Sequence, residues 1–196
     1  MSKKVKWSLI AALIFALVVL AVYYVTRVRT KSFSPEDTVT YVQGDLELEV
    51  FYNRPYKKDR EIFGGLVPYG EVWRTGANEA TTFTVNQDLL VDGSLLKAGI
   101  YTLWTIPGPE SWKVIFNSKM YPWGITTKGD PSREPEYDVL TLEVKVNTVY
   151  NITEQFTIYF ERVSDFILMI LAWDRTAVTV PIKPVHNTTE VRARGK

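Results

Sequence analysis

Asp45 to Tyr52 reads DLELEVFY, and this octapeptide decides the fold. Leu46, Leu48, Val50 and Tyr52 fall on one side of an extended chain, while Asp45, Glu47 and Glu49 fall on the other. A period of two is that of a strand with one buried face, because successive side chains point to opposite sides of the pleat. A helix would need its apolar residues three and four apart, and here they are two apart.

The same rhythm extends outward from this stretch. TTFTVN (81–86), GIYTLWTI (99–106), SWKVIFN (111–117), DVLTLEVKV (138–146), EQFTIYFERV (154–163), FILMILAW (166–173) and TAVTVPI (176–182) all read as strands. FILMILAW lacks polar alternation and is expected to be a central strand, covered on both faces. Asp92-Gly93 between LLV and SLL is a tight hairpin signal. Ser164-Asp165 and Asp174-Arg175 read as short turns, which makes the last three strands a meander. No helix of useful length is expected after Val25. About eight short strands joined this way predict an all-β domain, an antiparallel β-sandwich of jelly-roll-like form.

One segment precedes that domain and obeys different rules. Lys3, Lys4 and Lys6 are followed by WSLIAALIFALVVLAVYYV, Trp7 to Val25, without a charge. As a helix at about 1.5 Å per residue it spans roughly 28 Å, the thickness of a bilayer's hydrocarbon core. The apolar run exceeds that of an export signal, and Tyr23, Tyr24 and Val25 occupy positions where a cleavage site would need small residues. It is expected to be an uncleaved single-pass anchor with Trp7, Tyr23 and Tyr24 at the two interfaces. A short basic N-terminus before a large domain places the domain outside the cytoplasmic membrane, facing periplasm or exterior. The chain has no Cys, so neither a disulfide nor lipid attachment through Cys is available.

Charge narrows the partners. Without residues 1–31 the chain holds 17 basic against 22 acidic residues. Such a body repels a phosphate backbone, so nucleic acid is not an expected partner. The expected organisation is a cytoplasmic tail and anchor (1–31), an extracytoplasmic domain (34–183) and a disordered basic tail (184–196).

Between Asn53 and Ala80 the strand rhythm stops for nearly thirty residues. Loops of that length are usually functional when ordered. Phe63, Leu66, Val67, Val72 and Trp73 are expected to hold this one against the sheet. YNRPYKKDREIFGGLVPYGEVWRTGANEATTF, with AGIYTLWTIP, WKVIFN, WG, EQFTIYF and LAWDRTAVTVPI in order, resembles the domain-of-unknown-function family 2911 over roughly residues 34–182. That resemblance implies an exported or envelope-anchored bacterial domain and carries no established activity.

Within the loop, VWRTGANEATTF is dense in directional chemistry. Arg74 offers a planar fork of five donors suited to a carboxylate or phosphate. Gly76 permits a sharp turn or close backbone approach, and Asn78 and Glu79 add donor and acceptor groups. Arg54 and Arg60 are expected to converge on the same place. Trp73 and, in a Pro/Gly loop, Trp123 supply aromatic faces of the kind that stack on sugars, whereas Trp104 and Trp112 are expected to fill the sandwich. The candidate ligand-binding residues are therefore Arg54, Arg60, Trp73, Arg74, Asn78, Glu79 and Trp123. The alternative is that ion pairs such as Arg74 with Glu79, or Arg54 with Glu61, merely tie the loop down.

Nucleophilic catalysis is hard to build, since the single His, His186, lies beyond the last strand. No metal or cofactor motif occurs, so no cofactor and no catalytic residue is expected. The leading expectation is a membrane-anchored module binding a small polar ligand, a glycan or an envelope partner. Two alternatives stand beside it: a carboxylate-dependent glycan hydrolase drawing on Glu61, Glu71 and Glu79, and a structural envelope domain without a ligand.

Overall fold

The computed structural model describes residues 1–185. Of the expected tail (184–196), residues 186–196 lie outside the described residues, and Pro184 closes the last strand.

Helix α1 (Lys3–Phe33) is long and apolar enough to cross a membrane, and none of its residues is buried. It does not stop where its apolar run stops. Two further turns continue into the domain, and there Arg27, Thr30 and Lys31 are half-buried while Ser34, just past the end, is buried. That spacing of three, four and seven marks one helical face laid against the domain.

Nine antiparallel strands follow among the described residues: β1 (Glu36–Gln43), β2 (Leu46–Asn53), β3 (Thr81–Val85), β4 (Leu89–Val91), β5 (Ser94–Leu96), β6 (Gly99–Ile106), β7 (Ser111–Asn117), β8 (Asp138–Val163) and β9 (Phe166–Pro184). Their order is β1-β2-β3-β6-β7-β8-β9-β4-β5. The alternation of the opening octapeptide is realised: Leu46, Leu48, Val50 and Tyr52 are buried in one core. β4 and β5 form the hairpin signalled by Asp92-Gly93, whose φ angles of 48° and 78° are those of the primed turns.

The sheet folds into two layers because β8 serves both. β8 pairs with β7 through Asp138–Lys145 and with β9 from Val146 onward, so its two halves belong to opposite layers. Side chains from β2, β3, β6 and β7 meet those of β8 and β9 in a single core. At one end of that core Phe63, Trp73, Trp112, Phe156 and Trp173 pack ring to ring, with Phe63 4.7 Å from Trp112 and Trp73 stacked 5.9 Å from Trp173. Burying each such ring stabilises the fold by about 1.5–3 kcal/mol.

Three local expectations need correction. β1 is a strand that the expected set lacked. The segments 138–146 and 154–163 are one strand, and so are 166–173 and 176–182. Asp174, expected in a turn, instead takes φ 54° within β9, opposite register shifts in β8 between Thr148 and Thr157. An extra run of residues in one strand of a pair bends both strands without ending them. The polar run 147–155 is largely exposed, which is why it reads locally as a break.

Trp112 fills the core as expected. Trp104, also buried, faces the other side of β6, in a small cluster with Ala80, Ile115 and Tyr121. Its cover is the loop between β7 and β8, whose Tyr121 ring lies 5.6 Å away.

Candidate functional site

No strand interrupts the chain from Asn53 to Thr81, but this loop is bound down along its length. Ile62, Phe63, Val67 and Trp73 are buried, Val72 is half-buried, and Leu66 is exposed. Trp73 exchanges both backbone hydrogen bonds with Thr105 of β6, at 2.7 and 2.9 Å. The chain then turns sharply through positive φ at Thr75, Gly76 and Asn78. Gly76 is required twice over: its φ is 153°, and an added Cβ would sit 2.8 Å from the Asn53 carbonyl oxygen. The turn is held from within. Trp73 Nε1 donates to the Gly76 carbonyl at 2.9 Å, and Thr81 Oγ1 donates to the Thr75 carbonyl at 2.7 Å.

Ahead of this turn, Arg74 lines a cavity of about 370 Å³ together with Lys58, Arg60, Trp73, Trp173 and Ser34. That volume lies in the range of small-molecule sites. The lining includes three cations and no Asp or Glu. Arg74 Nε is buried without a hydrogen-bond partner, and among the described residues its side chain makes no ion pair. Burial pushes the guanidinium below its ordinary pKa. Its stem rests on Gly124, where a Cβ would come within 2.1 Å of Arg74 Cδ. Arg60, exposed at the rim, donates to the backbone carbonyls of Tyr56 and Lys57.

Beyond the turn, Asn78 and Glu79 face a different neighbour. Glu79 Oε1 accepts from Arg27 at 2.6 Å and lies 3.3 Å from Lys31 Nζ, both on α1. Its other oxygen accepts from Asn53 Nδ2 at 3.1 Å. Asn78 Nδ2 donates to Asn53 Oδ1 at 3.1 Å and to the Ser34 carbonyl at 3.4 Å. The buried Asn53 and Asn78 thereby join the end of the helix to β2 and to the loop.

Of the residues singled out in the sequence, the structure brings Arg60, Trp73 and Arg74 to one cavity. Asn78 and Glu79 are adjacent to it but turned onto α1. Arg54 faces away: it pairs with Asp37 at 3.1 Å and donates to Thr157 Oγ1 at 2.9 Å. Neither ion pair considered for the loop forms, since Glu79 takes its cations from α1 and Arg54 takes its acid from β1. Trp123 lies against α1, beside Tyr23, Thr26, Arg27 and Thr30. Lys58, Trp173, Asn53, Arg27 and Lys31 join these groups without having been singled out. A polar face at 27, 30, 31 and 34, continuing past the apolar run, is the signal that marked the last two. Among the described residues no group of His, Asp and Glu is placed to hold a metal ion.

With this geometry in view, the family model described as "Protein of unknown function (DUF2911)" matches residues 34–182. The chain belongs to this family. The matched region of the DUF2911 protein starts at Ser34, where α1 meets the domain, and ends two residues before the close of β9. No curated protein and no solved structure matches it.

Proposed function

We infer that this DUF2911 protein is anchored in the cytoplasmic membrane by α1, with its sandwich outside the cytoplasm, and binds a small polar ligand through an anionic group. The carrying observation is Arg74, a half-buried guanidinium with an orphaned, buried Nε and, among the described residues, no acid in its cavity. A half-buried cation without an opposite charge carries a desolvation cost, which a bound anion relieves. A carboxylate or phosphate does so through the planar donor fork, and Lys58 and Arg60 add positive potential at the same opening. Trp73 and Trp173 supply apolar wall, so an acidic sugar or another compact organic acid fits the chemistry.

Glycan hydrolysis draws no support from this cavity. It needs two carboxyl groups across a cleft, whereas the lining has none and Glu79 is engaged by Arg27 and Lys31. The test is thermal unfolding of the full chain in lipid nanodiscs with phosphate, glucuronate or neutral glucose added. The anions are expected to raise the melting temperature of the native protein and not that of Arg74→Leu. An unchanged temperature with every anion, or equal shifts in the variant, overturns the reading.

A further inference from the structure

A second cleft lies against α1, away from the Arg74 cavity. It measures about 290 Å³ and is walled by Tyr23, Thr26, Arg27 and Thr30 on the helix and by Trp123 on the loop between β7 and β8. We propose that this cleft receives a glycerophospholipid of the bilayer, with Trp123 set in the headgroup layer beside the anchor. The proposal rests on α1 spanning the membrane.

Depth is the first argument. The uncharged run ends at Val25, and the cleft runs from Tyr23 to Thr30. At about 1.5 Å per residue, Thr30 stands roughly 7.5 Å beyond Val25. The headgroup layer of one leaflet is about 5–7 Å thick, the difference between the hydrocarbon core and the whole bilayer. The cleft thus occupies that layer, if the apolar run fills the core.

This depth is not free to vary, because the helix is fixed to the domain by Glu79 and Asn78. The loop carrying Trp123 is fixed too, since Gly124 N donates to the Asn78 carbonyl at 2.9 Å. One short network therefore sets the distance between the apolar run and the indole.

Composition is the second argument. The cleft surface is overwhelmingly apolar, yet it is bordered by Arg27, with Arg29 and Lys31 following on the same helix. Residues 1–31 contain no acid at all. A phospholipid offers acyl and glycerol carbon for the walls, and its phosphate meets a helix end where Arg29 has no ion pair among the described residues, Arg27 and Lys31 being held by Glu79. Tryptophan is the side chain most at home at such a boundary.

The absence of Cys makes the test clean. A nitroxide is attached at Trp123→Cys in the full chain, reconstituted in phosphatidylcholine–phosphatidylglycerol vesicles. Its accessibility to oxygen and to a water-soluble nickel complex is compared with probes at Leu13→Cys, within the apolar run, and Asp45→Cys, at the exposed β1–β2 turn. The probe at 123 is expected to read intermediate depth, shielded from nickel relative to position 45. If position 13 reads as buried while 123 matches 45, the anchor stands and the lipid cleft is overturned. If 13 also reads as aqueous, the anchor itself fails and the cleft with it. Spin–spin broadening at 123 without lipid exposure assigns the cleft to a second copy, against the proposal. Because the Cys variant removes the indole, the native chain and Trp123→Phe are also compared in vesicles of brominated phospholipid. Loss of a component of quenching is expected in Trp123→Phe, and identical quenching overturns the proposal.

Discussion

Arg74 and Glu79 stand five positions apart in one loop, yet their charges meet opposite circumstances. Glu79 is bound by two cations and an amide; Arg74 is enclosed with no opposite charge in its cavity. The pairing that chain proximity suggests, Arg74 with Glu79, does not form. The turn at Thr75–Asn78 sends the two side chains to different neighbours, and α1 supplies the cations for the acid. The difference separates a charge satisfied within the protein from one that has no ion pair among the described residues.

That contrast is broken most severely at Asn53. Its buried amide serves both Asn78 and Glu79. Asn53→Ala leaves the Asn78 amide and one Glu79 oxygen without those partners, and each unsatisfied buried group costs about 1–3 kcal/mol. A fall in stability of about 2–4 kcal/mol is expected in thermal or urea unfolding. A change within about 0.5 kcal/mol shows that water replaces the amide and that the network is dispensable.

Glu79→Gln is milder, because Arg27 and Lys31 remain partly exposed. The amide oxygen still accepts from Asn53, but the NH2 then faces the donors of Arg27 and Lys31, so the charge and one acceptor are removed together. The expected loss is about 1 kcal/mol or less at low salt, and smaller at high salt, where exposed pairs are screened. Amide hydrogen exchange across residues 27–34 in nanodiscs is the measurement. Faster exchange there, with the strands unaffected, is the expected outcome; uniform protection means that Glu79 does not hold the helix.

Arg74→Leu has the smallest expected effect on the fold and the opposite sign. It keeps packing volume over Gly124 and removes an enclosed charge without stranding an acid. Stability is expected to stay level or rise, by no more than about 1 kcal/mol, in unfolding without added anions. A loss of several kcal/mol shows instead that the guanidinium has a structural partner and that the two charges are alike.

Much of this architecture is legible locally. The alternation in DLELEVFY, the Asp92-Gly93 hairpin and the uncharged run Trp7–Val25 each carry their conformation in neighbouring residues. The errors share one cause. Asn147 to Thr153 interrupts the alternation and is left between two expected strands, but pairing with β9 keeps it within one extended strand. Asp174-Arg175 has turn chemistry, yet a bulge inside a hairpin accommodates the same positive φ. Backbone pairing across the sheet overrides the local signal because each residue can lend its N–H and C=O to a distant strand.

The sequence by itself determined the strand period, the membrane-length helix, the long packed loop and the presence of Arg60, Trp73 and Arg74 in or beside it. Hydrophobic periodicity and φ preference are properties of adjacent residues, so they can be read along the chain. Only the tertiary structure decided that Arg54 belongs to Asp37, that Glu79 belongs to α1 and that Arg74 pairs with no acid among the described residues. Ion pairing depends on distances of a few ångströms between residues far apart in the chain, 52 positions for Arg27 and Glu79. Those distances are set by how the helix seats on the sandwich, which no local pattern records.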